Sequence, residues 1–149
     1  NHLRILSAFY GVLKPMDGVT PYRLEMQAKA EIEETANLYD YWGDRLYHSV
    51  IDDSRTIINL ASKEYSKCIE RYLSDKDNYI TITFCELSGD KLVTKGTYAK
   101  MARGEMVRFM AENNIENPVD IQKFDRLGYT FRGNLSSETE YVFERKVEK

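Results

Sequence analysis

Tyr79 to Leu87 sets apolar Ile80, Ile82 and Phe84 against Thr81, Thr83 and Cys85, the period-two alternation of a half-buried strand. Ser88-Gly89-Asp90 then turns the chain into a second strand, Lys91 to Lys95, and Gly96 opens the longest helix, running to about Asn113 or Asn114. The remaining segments mix strands and helices without strict βαβ alternation. We therefore expect an α+β or mixed α/β fold, a mixed sheet flanked by helices, in a single domain over residues 1–149.

The other segments complete this reading. Leu3 to Ser7 reads as a buried strand emptying into a long ordered loop that ends near Met26. Ala28 to Ala36 is acidic and reads as a surface turn or short helix. Leu38, Trp42, Leu46 and Val50 recur at i, i+4 and predict a helix of about four turns, with Asn37 as N-cap and Trp42 as a core anchor. Thr56 to Ala61 reads as a strand ending at Ser62, which is expected to cap a helix from Lys63 to Tyr72; the N–H groups at that helix start form a potential anion site beside Lys63. A short helix at Pro118 and closing strands at Gly128–Phe131 and Glu140–Arg145 follow.

The net charge of −3 does not advertise nucleic-acid binding, so any such role has to come from a local patch. Such a patch exists on the long helix. Tyr98, Ala102, Met106, Phe109 and Met110 are expected on its buried side and Lys100, Arg103 and Arg108 opposite. Lys95 to Arg108 holds four basic residues against Glu105 alone. Gly104 lies among the cations, where it costs about 1 kcal/mol against alanine. It lets either a phosphate backbone or another helix approach the main chain.

No apolar run approaches the roughly 20 residues of a membrane helix. Cys68 and Cys85 lack CxxC spacing and are expected as free, buried thiols. His2 and His48 are too few and isolated for a zinc or iron site, and no metal or cofactor is expected. The apolar Leu3 to Leu6 follows Asn1-His2 without a polar lead-in, so the chain is expected to start within a longer domain.

Leu6-Ser7-x-x-Tyr10-Gly11-Val12-Leu13-Lys14-Pro15-x-Asp17, followed by Pro21-Tyr22-Arg23-Leu24-Glu25-Met26, concentrates rigid and polar residues in a loop-like stretch. Together with Leu38-Tyr39-x-x-Trp42-Gly43, Ile58-Asn59-Leu60-Ala61-Ser62-x-Glu64-Tyr65, Lys100-x-Ala102-Arg103-Gly104-x-Met106, Phe124-x-x-x-Gly128-Tyr129-x-Phe131 and Val142-Phe143-x-Arg145, it resembles the YaaA family of bacterial peroxide stress resistance proteins. The resemblance spans nearly the whole chain. It implies a cytoplasmic protein that limits oxidative damage by keeping free intracellular iron low. It also implies a positively charged cleft that binds double-stranded DNA through a helix-hairpin-helix-like element, although no glycine-rich hairpin between helices matches that element here. The family motif usually carries arginine where Lys14 stands, which keeps the charge and loses the bidentate fork.

Two classes of function follow. In the first, Lys14, Arg23, Lys63, Lys100, Arg103 and Arg108 line a cleft that grips DNA phosphates without sequence preference. In the second, Ser7, Tyr10, Tyr22, Glu25, Asn59, Ser62 and Tyr65, with Arg23 as anchor, converge on a small anionic, nucleotide-like ligand. Glu25 is then the candidate acid or base. An iron site at Asp17, Glu25 and Glu64 ranks third, and peroxide chemistry at a cysteine ranks last. The bland alternative makes Arg23 and Glu25 an internal ion pair in a buried loop.

Overall fold

Ile5–Ser7 (β1) and Gly11–Leu13 (β2) pair as an antiparallel two-stranded ribbon, so the long loop expected after Ser7 begins with a second strand. The structure is a computed structural model and describes residues 2–88 and 91–146. Within it the chain divides into two compact units, residues 1–57 with 61–78, and residues 58–60 with 79–149.

In the first unit the ribbon is fastened to the helix that follows. Gly11 has φ +80°, and a Cβ there would lie 2.9 Å from the Trp42 ring, so only glycine fits both conformation and space. Trp42 Nε1 donates to the Ala8 carbonyl at 2.9 Å, which gives the expected anchor its polar partner. β1 itself is not buried as expected, since Ile5 is 45% exposed.

The predicted four-turn helix is two short ones, Leu38–Trp42 (α1) and Arg45–Val50 (α2). Gly43 breaks it: with φ +53° it returns its N–H to the Tyr39 carbonyl and closes α1. Asn37 caps α1 as expected, its side chain accepting from the Asp40 N–H at 3.0 Å. Residues 28–36 form turns with one isolated bridge, Ile32 to Thr35. Lys63–Glu70 (α3) packs Cys68 and Ile69 inward.

One buried carboxylate ties this unit's far end together. The Asp77 side chain is wholly inaccessible, 2.6 Å from Arg55 Nη2, and accepts from Tyr47 Oη at 2.8 Å and the Ser74 N–H at 2.7 Å. Burial pushes its pKa up, but these donors and the Arg55 charge outweigh that and leave it below the ordinary carboxylate value.

The second unit is built on a mixed sheet. Thr56–Asn59 (β3), whose last two residues fall in this unit, neighbours Asn78–Ser88 (β4); Glu140–Arg145 (β7) and Tyr129–Phe131 (β6) complete the order β3-β4-β7-β6. β4 and β7 run parallel, Thr81 facing Glu140 and Glu86 facing Arg145, while β6 is antiparallel to β7. Lys91–Val93 (β5) forms the expected hairpin with β4. Gly89 and Asp90 of its turn lie outside the described residues.

Ile80, Ile82 and Phe84 of β4, with Tyr141 and Phe143 of β7, make the core face. Gly96–Glu112 (α4) lays Ala99, Ala102, Met106 and Phe109 upon it. Tyr98, expected on that stripe, is 41% exposed: the buried row takes Ala99 instead, and the Tyr98 ring flanks the helix 3.7 Å from the Arg145 guanidinium. Asn117 caps the 3-10 helix Pro118–Lys123, which adds Ile121 to the core.

Candidate functional site

Most hydroxyls of the Ser7 to Met26 motif are spent on the loop itself. Ser7 Oγ accepts from the N–H groups of Phe9 and Tyr10 at 3.2 and 2.9 Å and lies 2.5 Å from the Tyr22 hydroxyl. Tyr10 Oη accepts from the Thr20 N–H at 2.9 Å, and the Phe9, Tyr10 and Tyr22 rings meet with centroids 4.9 to 5.5 Å apart. Those contacts close residues 7–22 on themselves.

Around the start of α3 the surroundings are acidic. The Tyr65 hydroxyl is hydrogen-bonded to the Met26 main chain, and its pKa is raised by burial and then by the charges of Glu64, Tyr22 and Glu25. Glu64 accepts from the Gln27 N–H at 3.3 Å and stands in the first turn, where the helix end favours a carboxylate. Ser62 does not cap α3 through its side chain, contrary to expectation; its carbonyl instead accepts from the Tyr65 and Ser66 N–H groups at 2.9 Å. An anion arriving at this helix start would therefore meet a carboxylate, Glu64, in its first turn.

Arg23 and Glu25 are both exposed and form no ion pair with each other among the described residues, so the internal-pair reading does not hold. Lys63 is exposed. Asn59 is buried in the second unit and donates to Thr81 Oγ1 at 3.3 Å, which ties β3 to β4. Among the described residues no three His, Cys, Asp or Glu side chains gather to hold a metal, so Asp17, Glu25 and Glu64 do not form such a group. Cys68 and Cys85 are buried and free; burial pushes the Cys68 thiol up to about 11 and raises Cys85 too, which suppresses the thiolate that peroxide chemistry requires.

On α4 the basic set contracts. Lys95 Nζ sits 2.9 Å from the buried Glu86, Arg108 Nε 2.7 Å from Glu112, and Glu105 meets Arg126 at 3.4 Å. Lys100 is exposed and Arg103 half-buried, and neither has a carboxylate within ion-pair distance among the described residues. Loss of water lowers the Arg103 pKa, with no charged neighbour contributing. A Cβ on Gly104 would meet nothing beyond its own helix within 4 Å among the described residues, so no second helix among them packs there.

Of the residues lining one groove, the sequence pointed to Tyr10 and Lys14 and missed Arg4, Trp42 and Arg45. Tyr10 and Lys14 line a groove of about 310 Å³ in the first unit together with Arg4, Asp17, Trp42 and Arg45. The i, i+3 spacing of Trp42 and Arg45 was the available signal; nothing local connects either to Arg4.

Comparison with known proteins places these features in a family. The family model for peroxide stress protein YaaA matches residues 1–135, and the chain belongs to that family. It is 80% identical over 147 residues to a UPF0246 protein of Agathobacter rectalis, covering 99% of this chain and 59% of that protein. A UPF0246 protein of Lachnoclostridium phytofermentans is 56% identical over 142 residues, covering 95% of this chain and 56% of the relative. One from Desulfitobacterium hafniense is 55% identical over 146 residues, 98% of this chain and 58% of the relative. The chain therefore spans less than two thirds of the length of these relatives. No helix among the described residues is long and apolar enough to cross a membrane.

Proposed function

We propose that this chain serves resistance to peroxide stress in the cytoplasm, helps to keep free intracellular iron low, and binds double-stranded DNA without sequence preference through the exposed side of α4. Membership of the peroxide stress protein family supports the first part. The iron-lowering part follows the family resemblance. The DNA part is carried by Arg103 and Gly104. A mid-helix glycine whose added Cβ would meet no neighbouring element among the described residues, next to a partly desolvated guanidinium with no carboxylate among them, is costly as it stands. A phosphate supplies what both lack: a bidentate partner for the guanidinium and a reason for the bare backbone. Lys100, one turn before Gly104, adds a point charge. Arg108 is held by Glu112 and contributes less.

Titration of a short duplex between about 50 and 200 mM salt tests this reading. Lys100→Ala and Arg103→Ala should each reduce the slope of log K against log salt by about 1, weakening all sequences alike. Replacement of the exposed Lys76 should leave it unchanged. Affinity indifferent to salt, or to both variants, would reject DNA binding by α4.

A second reading, binding or turnover of a small anionic, nucleotide-like ligand, draws on the groove in the first unit. The acidic surroundings of Tyr65 count against the ligand set Tyr22, Glu25, Ser62 and Tyr65, and favour the side of the loop that carries Lys14.

A further inference from the structure

We infer that the groove between the β1–β2 ribbon and the α1–α2 helices is a binding site for a nucleoside monophosphate. Its phosphate is met by Arg4, Lys14 and Arg45, and its base lies against Tyr10 and Trp42. This rests on the small-ligand reading; it keeps Tyr10 and Lys14 of the motif and adds Arg4, Trp42 and Arg45.

Charge is the first support. The chain carries more acidic than basic residues, 24 against 21, and many of its cations are matched: Arg55, Lys95, Arg126 and Arg145 each meet a carboxylate within 3.4 Å. The lining of the groove holds three cations, Arg4, Lys14 and Arg45, and one carboxylate, Asp17. That carboxylate is already engaged, its Oδ2 accepting the Lys14 N–H at 2.7 Å. Neither Lys14 nor Arg45 has a carboxylate within ion-pair distance among the described residues. The site has a net charge of +2, which complements a phosphate monoester.

Preorganisation is the second. Arg45 Nε donates to the Trp42 carbonyl at 3.0 Å and Nη2 to that of Tyr41, while the guanidinium lies 4.8 and 5.2 Å from the Tyr41 and Trp42 ring centres. Those contacts hold the fork in place, so less side-chain freedom is lost when an anion arrives. Lys14 projects from a tight turn that Pro15 stiffens, closed by the Asp17 N–H to Lys14 carbonyl bond at 3.1 Å.

Size and lining define the ligand. About 310 Å³ stands at the small end of ligand cavities and suits a group the size of a mononucleotide. Two aromatic side chains and the apolar Val12 and Leu46 suit a flat base, whereas a bare inorganic anion would leave them unused.

Trp42 is the single tryptophan of the chain, so intrinsic fluorescence reports on the groove directly. Adenosine monophosphate, inorganic phosphate and adenosine are titrated into the full chain, with calorimetry in parallel. The expected result is a saturable change with the monophosphate, weaker binding of phosphate and none of adenosine. Lys14→Glu should weaken binding at least tenfold, and Lys29→Glu, on an exposed lysine away from the groove, should not. Binding by calorimetry with silent Trp42 fluorescence and full affinity in Lys14→Glu would place the ligand elsewhere, overturning this site while sparing the small-ligand reading. No heat and no fluorescence change at millimolar ligand would overturn both. Displacement of the monophosphate by a short duplex, sensitive to Lys14→Glu, would make the groove a nucleic-acid surface and overturn the small-ligand assignment.

Discussion

Phe84, Phe124, Phe143 and Tyr129 of the second unit meet ring to ring at 5.0 to 5.8 Å, whereas the motif loop of the first unit rests on hydroxyls: Ser7 on two N–H groups and Tyr22, and Tyr10 on Thr20. An aromatic core is held by area and fit, and each ring is worth several kcal/mol. A loop closed by hydrogen bonds gains about 1 kcal/mol from each, yet each fixes one backbone direction. The contrast separates residues that look functional from those with spare capacity. In the motif Ser7 and the tyrosine hydroxyls are committed to shaping the loop, and the cations at its edge are left to meet a ligand.

The largest effect should come from the aromatic side. Phe143 is fully buried and touches three other rings, so Phe143→Ala should lower stability by about 3–5 kcal/mol in urea denaturation followed by far-UV circular dichroism. A loss below about 1 kcal/mol would mean that the rings repack and the contrast with the loop is false.

Next in size is the one place where the first unit depends on close fit. Gly11→Ala forces a residue with a Cβ into φ +80° and against Trp42 at 2.9 Å, which should cost about 1–3 kcal/mol. A shift in Trp42 emission should accompany the loss. Unchanged emission and stability would show that the ribbon can lift off the indole.

Much of the second unit was legible in the sequence, because β4, α4 and β7 each run long enough for their period to show. The first unit was harder. Gly11-Val12-Leu13 is too short to reveal a strand, and Gly43 interrupts an unbroken i, i+4 pattern only through its positive φ. Ser7 finds Tyr22 fifteen residues away and Tyr10 finds Thr20 ten away, distances over which no local rule predicts pairing. Arg108 and Glu112 form an ordinary i, i+4 pair that counting charges only as far as Arg108 overlooks. The groove escaped for the same reason as the loop contacts: Arg4 and Arg45 become neighbours only when the ribbon packs on α1 and α2.

Acid sensitivity provides a third comparison. Asp77 has its pKa held below the ordinary value of 3.8 in the folded state. Its contribution is therefore complete above that ordinary value and is lost as pH falls through the lower, folded one. Asp77→Asn should be less stable at neutral pH and lack this part of the acid-side decline, read as the urea midpoint from neutral pH down through the carboxylate range. Parallel curves for the two proteins would show that the Arg55, Tyr47 and Ser74 contacts do not favour the charged form.

The smallest change is the most discriminating. Gly104 is exposed within α4 and a Cβ there meets nothing, so Gly104→Ala should raise stability by about 0.5–1 kcal/mol through helix propensity alone. If bare backbone serves a phosphate, the same substitution should weaken duplex binding while leaving the salt slope intact, because no charge is removed. Stability and affinity then move in opposite directions, which no account of Gly104 as a packing residue allows. A more stable variant with unchanged duplex affinity would remove the glycine from the DNA reading and leave Lys100 and Arg103 to carry it.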